Sequence, residues 1–190
     1  MRIRGALILA LLLGLADMPQ AVAVPQFPDL DGYAAADVKD YETYHTYGVN
    51  GVQFVTQDGV RCRMPTYSRG PAYWAKCWGP LPGVSHGENA VIAPDTSTGS
   101  DGQRSFGTAL KKTDLAGFET ANQLEGPGHF VQRPIDPDSY HLLAPGRKLE
   151  VGSAEFGATC AVGEAGMVAC VAHWSGDYGF VLSREGSWTF

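Results

Sequence analysis

The chain has 190 residues, with 14 Lys and Arg against 20 Asp and Glu, a formal net charge of −6 and only 18% charged residues. That acidic balance lacks the clustered cations by which proteins hold nucleic acid or anionic lipid surfaces, so neither is expected as a partner. With 24 Gly and 12 Pro, the composition suits many short strands joined by turns better than long amphipathic helices.

Residues 1–23 read as a cleavable signal peptide. Arg2 and Arg4 form a positive start, Ala6 to Leu15 is almost wholly apolar, and Ala21-Val22-Ala23 supplies the small residues a signal peptidase reads, which places cleavage between Ala23 and Val24. The apolar run is about ten residues where a bilayer-crossing helix takes roughly 20, so no stable membrane insertion is expected after cleavage. No cysteine precedes Cys62, so none is available for acylation near the cleavage site. Residues 24–190 are then one secreted β-rich domain, long enough to bury a single core.

Along that domain, residues 24–31 are Pro-rich and expected to be extended, and Tyr33 to Tyr41 is expected to form a short helix after Asp31. Val52 to Thr56 and Val60 to Met64 are strand-like runs around Gln57-Asp58-Gly59. In the second, Val60, Cys62 and Met64 alternate with Arg61 and Arg63, which predicts one face in the core and one in water. Residues 95–104 contain no apolar residue and are expected to be a mobile loop. Further strands are predicted at His129 to Gln132, Lys148 to Val151 and Tyr178 to Ser183, and Trp188 and Phe190 alternate as strand residues expected to close the core.

Four cysteines in an exported chain imply two disulfides. A three-residue loop, Glu164-Ala165-Gly166, sets Cys160 opposite Cys170, with Gly166 at the left-handed position such a loop requires. Cys62 then pairs with Cys77 by elimination. No Cys-x-x-Cys pair or zinc-finger spacing occurs, so no metal site is predicted. Phe54 to Cys62 followed by Cys77, and Phe156 to Cys160 followed by Cys170, suggest two related β units in one domain.

The run Asp58-Gly59-Val60-Arg61-Cys62-Arg63-Met64 after Phe54, then Ala75-Lys76-Cys77-Trp78, Cys160 to Cys170, Gly179-Phe180-Val181-Leu182-Ser183-Arg184 and the closing Gly186-Ser187-Trp188-Thr189-Phe190 resemble small exported proteins of actinobacteria, mycobacteria especially. The resemblance covers roughly residues 50–80 and 145–190. It implies an exported, two-disulfide, β-rich protein of unassigned function and carries no active site with it.

Gly83-Val84-Ser85-His86-Gly87 fits G-x-S-x-G, the nucleophile elbow of a serine hydrolase. The elbow needs a buried strand before the serine and a helix after it, whereas Trp78-Gly79-Pro80-Leu81-Pro82 precedes and Gly87-Glu88-Asn89 follows. His45, His86, His129, His141 and His173 are scattered, with no pair spaced to put two ligands on one helix face. Asp136, Asp138, Glu155 and Asp177 are candidate carboxylates for glycoside hydrolysis, with nothing in their spacing to choose a pair. No P-loop, dinucleotide fingerprint or EF-hand occurs, and no cofactor is expected.

Aromatic residues carry the binding signal. Tyr41, Tyr44 and Tyr47 recur every third residue, and Tyr73, Trp74 and Trp78 gather around Cys77; these last three form the candidate binding surface. The sequence therefore predicts an all-β or mainly β fold, with antiparallel sheets in a compact sandwich or barrel-like arrangement, two disulfides and at most a short helix. The expected role is that of an exported, non-catalytic binding or cell-envelope-associated protein whose partner is an envelope component or another protein. The alternative is a small secreted serine hydrolase of the cutinase or esterase kind.

Overall fold

The computed structural model describes residues 26–68, 73–98 and 103–190. The predicted signal peptide and its Ala23–Val24 cleavage site lie outside those residues. The strands are β1 (Ala34–Ala35), β2 (Tyr44–Thr46), β3 (Val49–Val55), β4 (Arg61–Tyr67), β5 (Ala75–Trp78), β6 (Ala90–Thr98), β7 (Arg104–Lys111), β8 (Thr120–Gly126), β9 (His129–Pro134), β10 (His141–Leu142), β11 (Arg147–Gly152), β12 (Gly157–Val162), β13 (Val168–His173), β14 (Asp177–Leu182) and β15 (Trp188–Thr189). One sheet runs β10-β3-β4-β5-β6-β7 with β2 also paired to β3, a second runs β1-β11-β12-β13-β14-β15, and β8 and β9 form a separate hairpin. The pairing is antiparallel except where β10 meets β3 and β1 meets β11. The two large sheets share one core between their inner faces, an open sandwich rather than a closed barrel.

Each sheet carries one cystine between two neighbouring inner strands. Phe54, Cys62, Cys77 and Val91 stand opposite one another across β3 to β6, and Leu149, Cys160, Cys170 and Phe180 do so across β11 to β14; all are fully buried. Both disulfides form as predicted, Cys62–Cys77 and Cys160–Cys170, each with its Cα atoms 4.1 Å apart. Gly166 has φ 77° in the hairpin turn, where the Gly163 N–H donates to the Met167 carbonyl at 2.8 Å. The two units are thus four-stranded meanders facing each other, and the counterpart of Phe54 is Leu149 rather than Phe156, which is exposed.

The meanders are also joined reciprocally. Asp29-Leu30-Asp31-Gly32-Tyr33 precedes β1 and Asp136-Pro137-Asp138-Ser139-Tyr140 precedes β10. Each makes one 3₁₀ turn capped by its first aspartate, with the Asp31 N–H on Asp29 Oδ1 at 2.9 Å and the Asp138 N–H on Asp136 Oδ1 at 3.0 Å. Each arm then lies beside the first strand of the other meander, β1 on β11 and β10 on β3.

Four expectations need correction. Residues 33–41 form no α-helix, because Ala34 and Ala36 donate their N–H groups to Gly146 and Lys148 across β11, leaving only a 3₁₀ turn at Val38–Tyr41. Within 95–104, Asp95 to Thr98 continue β6 and Arg104 opens β7, so these residues are strand rather than loop; Asp95 is held by Lys111 at 2.7 Å. Residues 99–102 lie outside the described segments. Phe190 does not close the core: it is 41% exposed, packed against Trp188 and edge to face with Phe27 beside the edge strand β15. The second face of β4 is not in water either, since Arg63 is only 5% exposed beneath the segment 112–140.

Candidate binding site

Beyond the Phe54–Cys62 row the two sheets part, and the inner-face positions Val52, Asn50 and Thr66 run out into a cleft of about 600 Å3 at the mouth of the sandwich. The end of β11 supplies Val151 and Gly152 on the opposite side, with Glu150 beside them paired to Lys148 at 3.2 Å; the chain ahead of β3 adds Glu42 and His45, and Tyr67 and Tyr73 complete the wall. His45 Nδ1 lies 3.1 Å from Asn50 Oδ1, and Thr66 Oγ1 donates to the Asn50 carbonyl at 3.3 Å, which orders the polar side of the cleft.

From this mouth a line of rings crosses the surface. Tyr67 packs on Trp74 with centroids 4.8 Å apart, Trp74 on Trp174 at 5.9 Å and Trp174 on Phe106 at 4.8 Å. Tyr67 and Phe106 are 46% and 39% exposed, so both ends of the line are open to solvent. Such a shelf is amphipathic and suited to a ligand that is apolar on one side and wet on the other. No family model matches this chain, nor does any curated protein or any solved structure.

Of the three aromatics predicted to form a binding surface, the structure brings Tyr73 and Trp74 to this tract and removes Trp78. Cys77 faces the core, so Trp78 next to it faces outward; there the segment 112–140 covers it completely in a second core with Ala90 and Tyr140. The three regularly spaced tyrosines also separate. Tyr41 donates its hydroxyl to the Leu142 carbonyl at 3.0 Å, Tyr44 lies against the Arg63 guanidinium, and Tyr47 meets Phe130 edge to face.

Beneath Trp78 and Tyr140 sits a buried polar network. Arg63 donates to Gln53 Oε1 at 3.1 Å, to the Phe118 carbonyl at 3.1 Å and to the Tyr140 hydroxyl at 2.7 Å, with its guanidinium 3.8 Å from the Tyr44 ring centre and 4.9 Å from that of Trp78. Glu119 accepts from Trp78 Nε1 at 2.6 Å, from Arg61 at 2.8 Å and from the Tyr140 hydroxyl at 3.0 Å. Burial, only partly offset by Arg63, keeps the Tyr140 phenol protonated well above the ordinary tyrosine range. Every group is paired, so the network fastens the 112–140 segment to the sheet.

The G-x-S-x-G pattern has a structural explanation. A Cβ on Gly83, at φ +61°, would stand 1.9 Å from the Ser183 carbonyl oxygen, and the Gly83 carbonyl accepts the Ser187 N–H at 3.2 Å; the glycine is needed where the C-terminal strand docks. Ser85 Oγ lies 2.8 Å from His86 Nδ1, but Glu88 approaches that same nitrogen at 3.5 Å, whereas a proton relay uses the two opposite ring nitrogens. Both Ser85 and His86 are exposed on a loop. Ser85→Ala should therefore leave the unfolding midpoint and any fluorophosphonate labelling of the protein unchanged; labelling lost in the variant would restore the hydrolase reading.

The other sequence candidates are not brought together. Asp136 caps a turn, Asp177 holds His173 at 2.7 Å, and Glu155 is exposed, while the carboxylates that do line the mouth cleft, Glu42 and Glu150, come from distant elements. Among the described residues no three His, Cys, Asp or Glu side chains converge as a metal ion requires.

Proposed function

We propose that this is an exported, non-catalytic binding protein of the cell envelope, akin to the small actinobacterial proteins it resembles, and that its mouth cleft and aromatic shelf take a stretch of envelope carbohydrate. The observation that carries the reading is the continuity of the ring line from Tyr67 to Phe106 with a cleft walled by Glu42, His45 and Asn50. Rings pack on the C–H faces of a sugar while carboxylates and amides accept its hydroxyls, the usual division between apolar lining and a few orienting polar groups. The two disulfides suit an oxidising, extracytoplasmic compartment, and among the described residues no helix is long and apolar enough to cross a membrane.

The test uses protein exported by its native host, whose intact mass should begin at Val24. Titration with purified envelope polysaccharides should change its tryptophan fluorescence saturably, and Trp74→Ala should weaken binding by about tenfold or more, as loss of a central aromatic anchor does. A dominant species retaining residues 1–23 would sink export. Binding to no saccharide fraction, or equal binding by Trp74→Ala, would sink the carbohydrate reading.

A further inference from the structure

A second groove, of about 550 Å3, lies on the outer face of the first sheet, between that sheet and the segment carrying Thr113 to Gln132. Arg63 and Lys76 both line it, and they stand directly opposite each other across β4 and β5. Like charges in that position repel and are ordinarily avoided, the more so when little water reaches them.

The neighbouring carboxylates are committed elsewhere. Glu119 holds Arg61, Asp95 holds Lys111, and Asp114 caps the Ala116 N–H at 3.0 Å. Arg63 donates to an amide, a carbonyl and a phenol, all neutral, and among the described residues Lys76 has no carboxylate within 4.0 Å. Burial first, and then Arg63, push the Lys76 ammonium below the ordinary lysine range, with Asp95 only partly opposing them. A chain of net charge −6 thus keeps two adjacent cations along one groove with no carboxylate in direct contact with either among the described residues, Glu119 and Asp95 acting on them only from farther off.

We propose that this groove binds a small carboxylate carried on a ring, with Lys76 as its counter-ion and Arg63 adding to the field. Tyr47 and Phe118 give the groove its aromatic lining, and Thr113 and Asn122 line it with polar side chains. The shared chemistry, a carboxylate on a six-membered ring, is found in sugar acids and in aromatic acids. Tyr67 lines both this groove and the mouth cleft, but the proposal does not rest on the reading of that cleft.

The experiment titrates ¹⁵N-labelled protein with glucuronate and with 4-hydroxybenzoate, using glucose and 4-hydroxybenzamide as neutral counterparts. At least one carboxylate should shift amides of β5 and of residues 113–122 saturably, while its neutral counterpart does not. The tighter of the two names the source class. Lys76→Met should weaken binding about tenfold or more, and Lys112→Met, on an exposed lysine, should not. Independently of whether Lys76→Met folds, the Lys76 resonance of ¹³C-dimethylated wild-type protein should titrate at higher pH when the carboxylate is bound. No saturable shift at the groove with either acid, equal binding of the neutral counterparts, unweakened binding by folded Lys76→Met, or an unmoved Lys76 titration would each overturn the proposal.

Discussion

Reduction of both disulfides should unfold the protein at 25 °C. Cys62–Cys77 and Cys160–Cys170 close loops with sequence separations of 15 and 10. In the chain-entropy account such loops are worth about 3 and about 2.7 kcal/mol, a sum comparable to the roughly 5–15 kcal/mol that holds a domain of this size together. The four cysteines are also fully buried members of one cluster, so the lesions reach the packing as well as the unfolded chain. Replacing Cys160 and Cys170 together by Ala should cost about 2.5–3 kcal/mol. Adding the Cys62 and Cys77 replacements should leave no cooperative transition. Guanidinium unfolding followed by tryptophan fluorescence and far-UV circular dichroism checks this; a quadruple variant with a midpoint near that of the wild type would show that the two inner rows pack without their cross-links.

The features legible in the sequence are those that depend on neighbours in the chain. Glu164-Ala165-Gly166 sets the register of β12 on β13, and the register puts Cys160 against Cys170, so the turn alone predicted a bond that the structure forms. Alternation around Cys62 likewise predicted which side of β4 enters the core. It could not predict that the other side is covered, because the cover comes from residues 112–140, and nothing local to Arg63 or Trp78 records that Phe118, Glu119 and Tyr140 will arrive there. Trp78 was misplaced for this reason, while its neighbours Tyr73 and Trp74 reached the surface tract. The mouth cleft was illegible in the same way, since Glu42, His45 and Glu150 meet only when the lead-in arm and β11 come together. One signal was present and unused: Asp29-Leu30-Asp31-Gly32-Tyr33 and Asp136-Pro137-Asp138-Ser139-Tyr140 share aspartates two apart and a closing tyrosine. Those aspartates make the matching capped turns that launch the reciprocal arms.

The buried network under the 112–140 segment sets the other large expected effect. Arg63→Ala should destabilise the protein by about 3–5 kcal/mol, because it withdraws the donor from Gln53 Oε1, the Phe118 carbonyl and the Tyr140 hydroxyl at once, each buried polar group left short costing about 1–3 kcal/mol. It also opens a void beside the rings of Tyr44 and Trp78, whose centres lie 3.8 and 4.9 Å from the guanidinium. Arg61→Ala, two residues along the same strand, is the control. Arg61 carries a side chain 39% exposed, and its pair with Glu119 is partly screened by solvent, so its loss should cost no more than about 1 kcal/mol. Because Arg63 hydrogen-bonds to three separate segments, at Gln53, Phe118 and Tyr140, the damage should also be local in a recognisable way. Hydrogen exchange should rise first in 112–140 and β10, the elements it fastens, while the amides of β12 and β13 around Cys160–Cys170 keep their protection. Equal losses for Arg63→Ala and Arg61→Ala would mean that the covering segment is held by its apolar contacts with Trp78 rather than by the guanidinium.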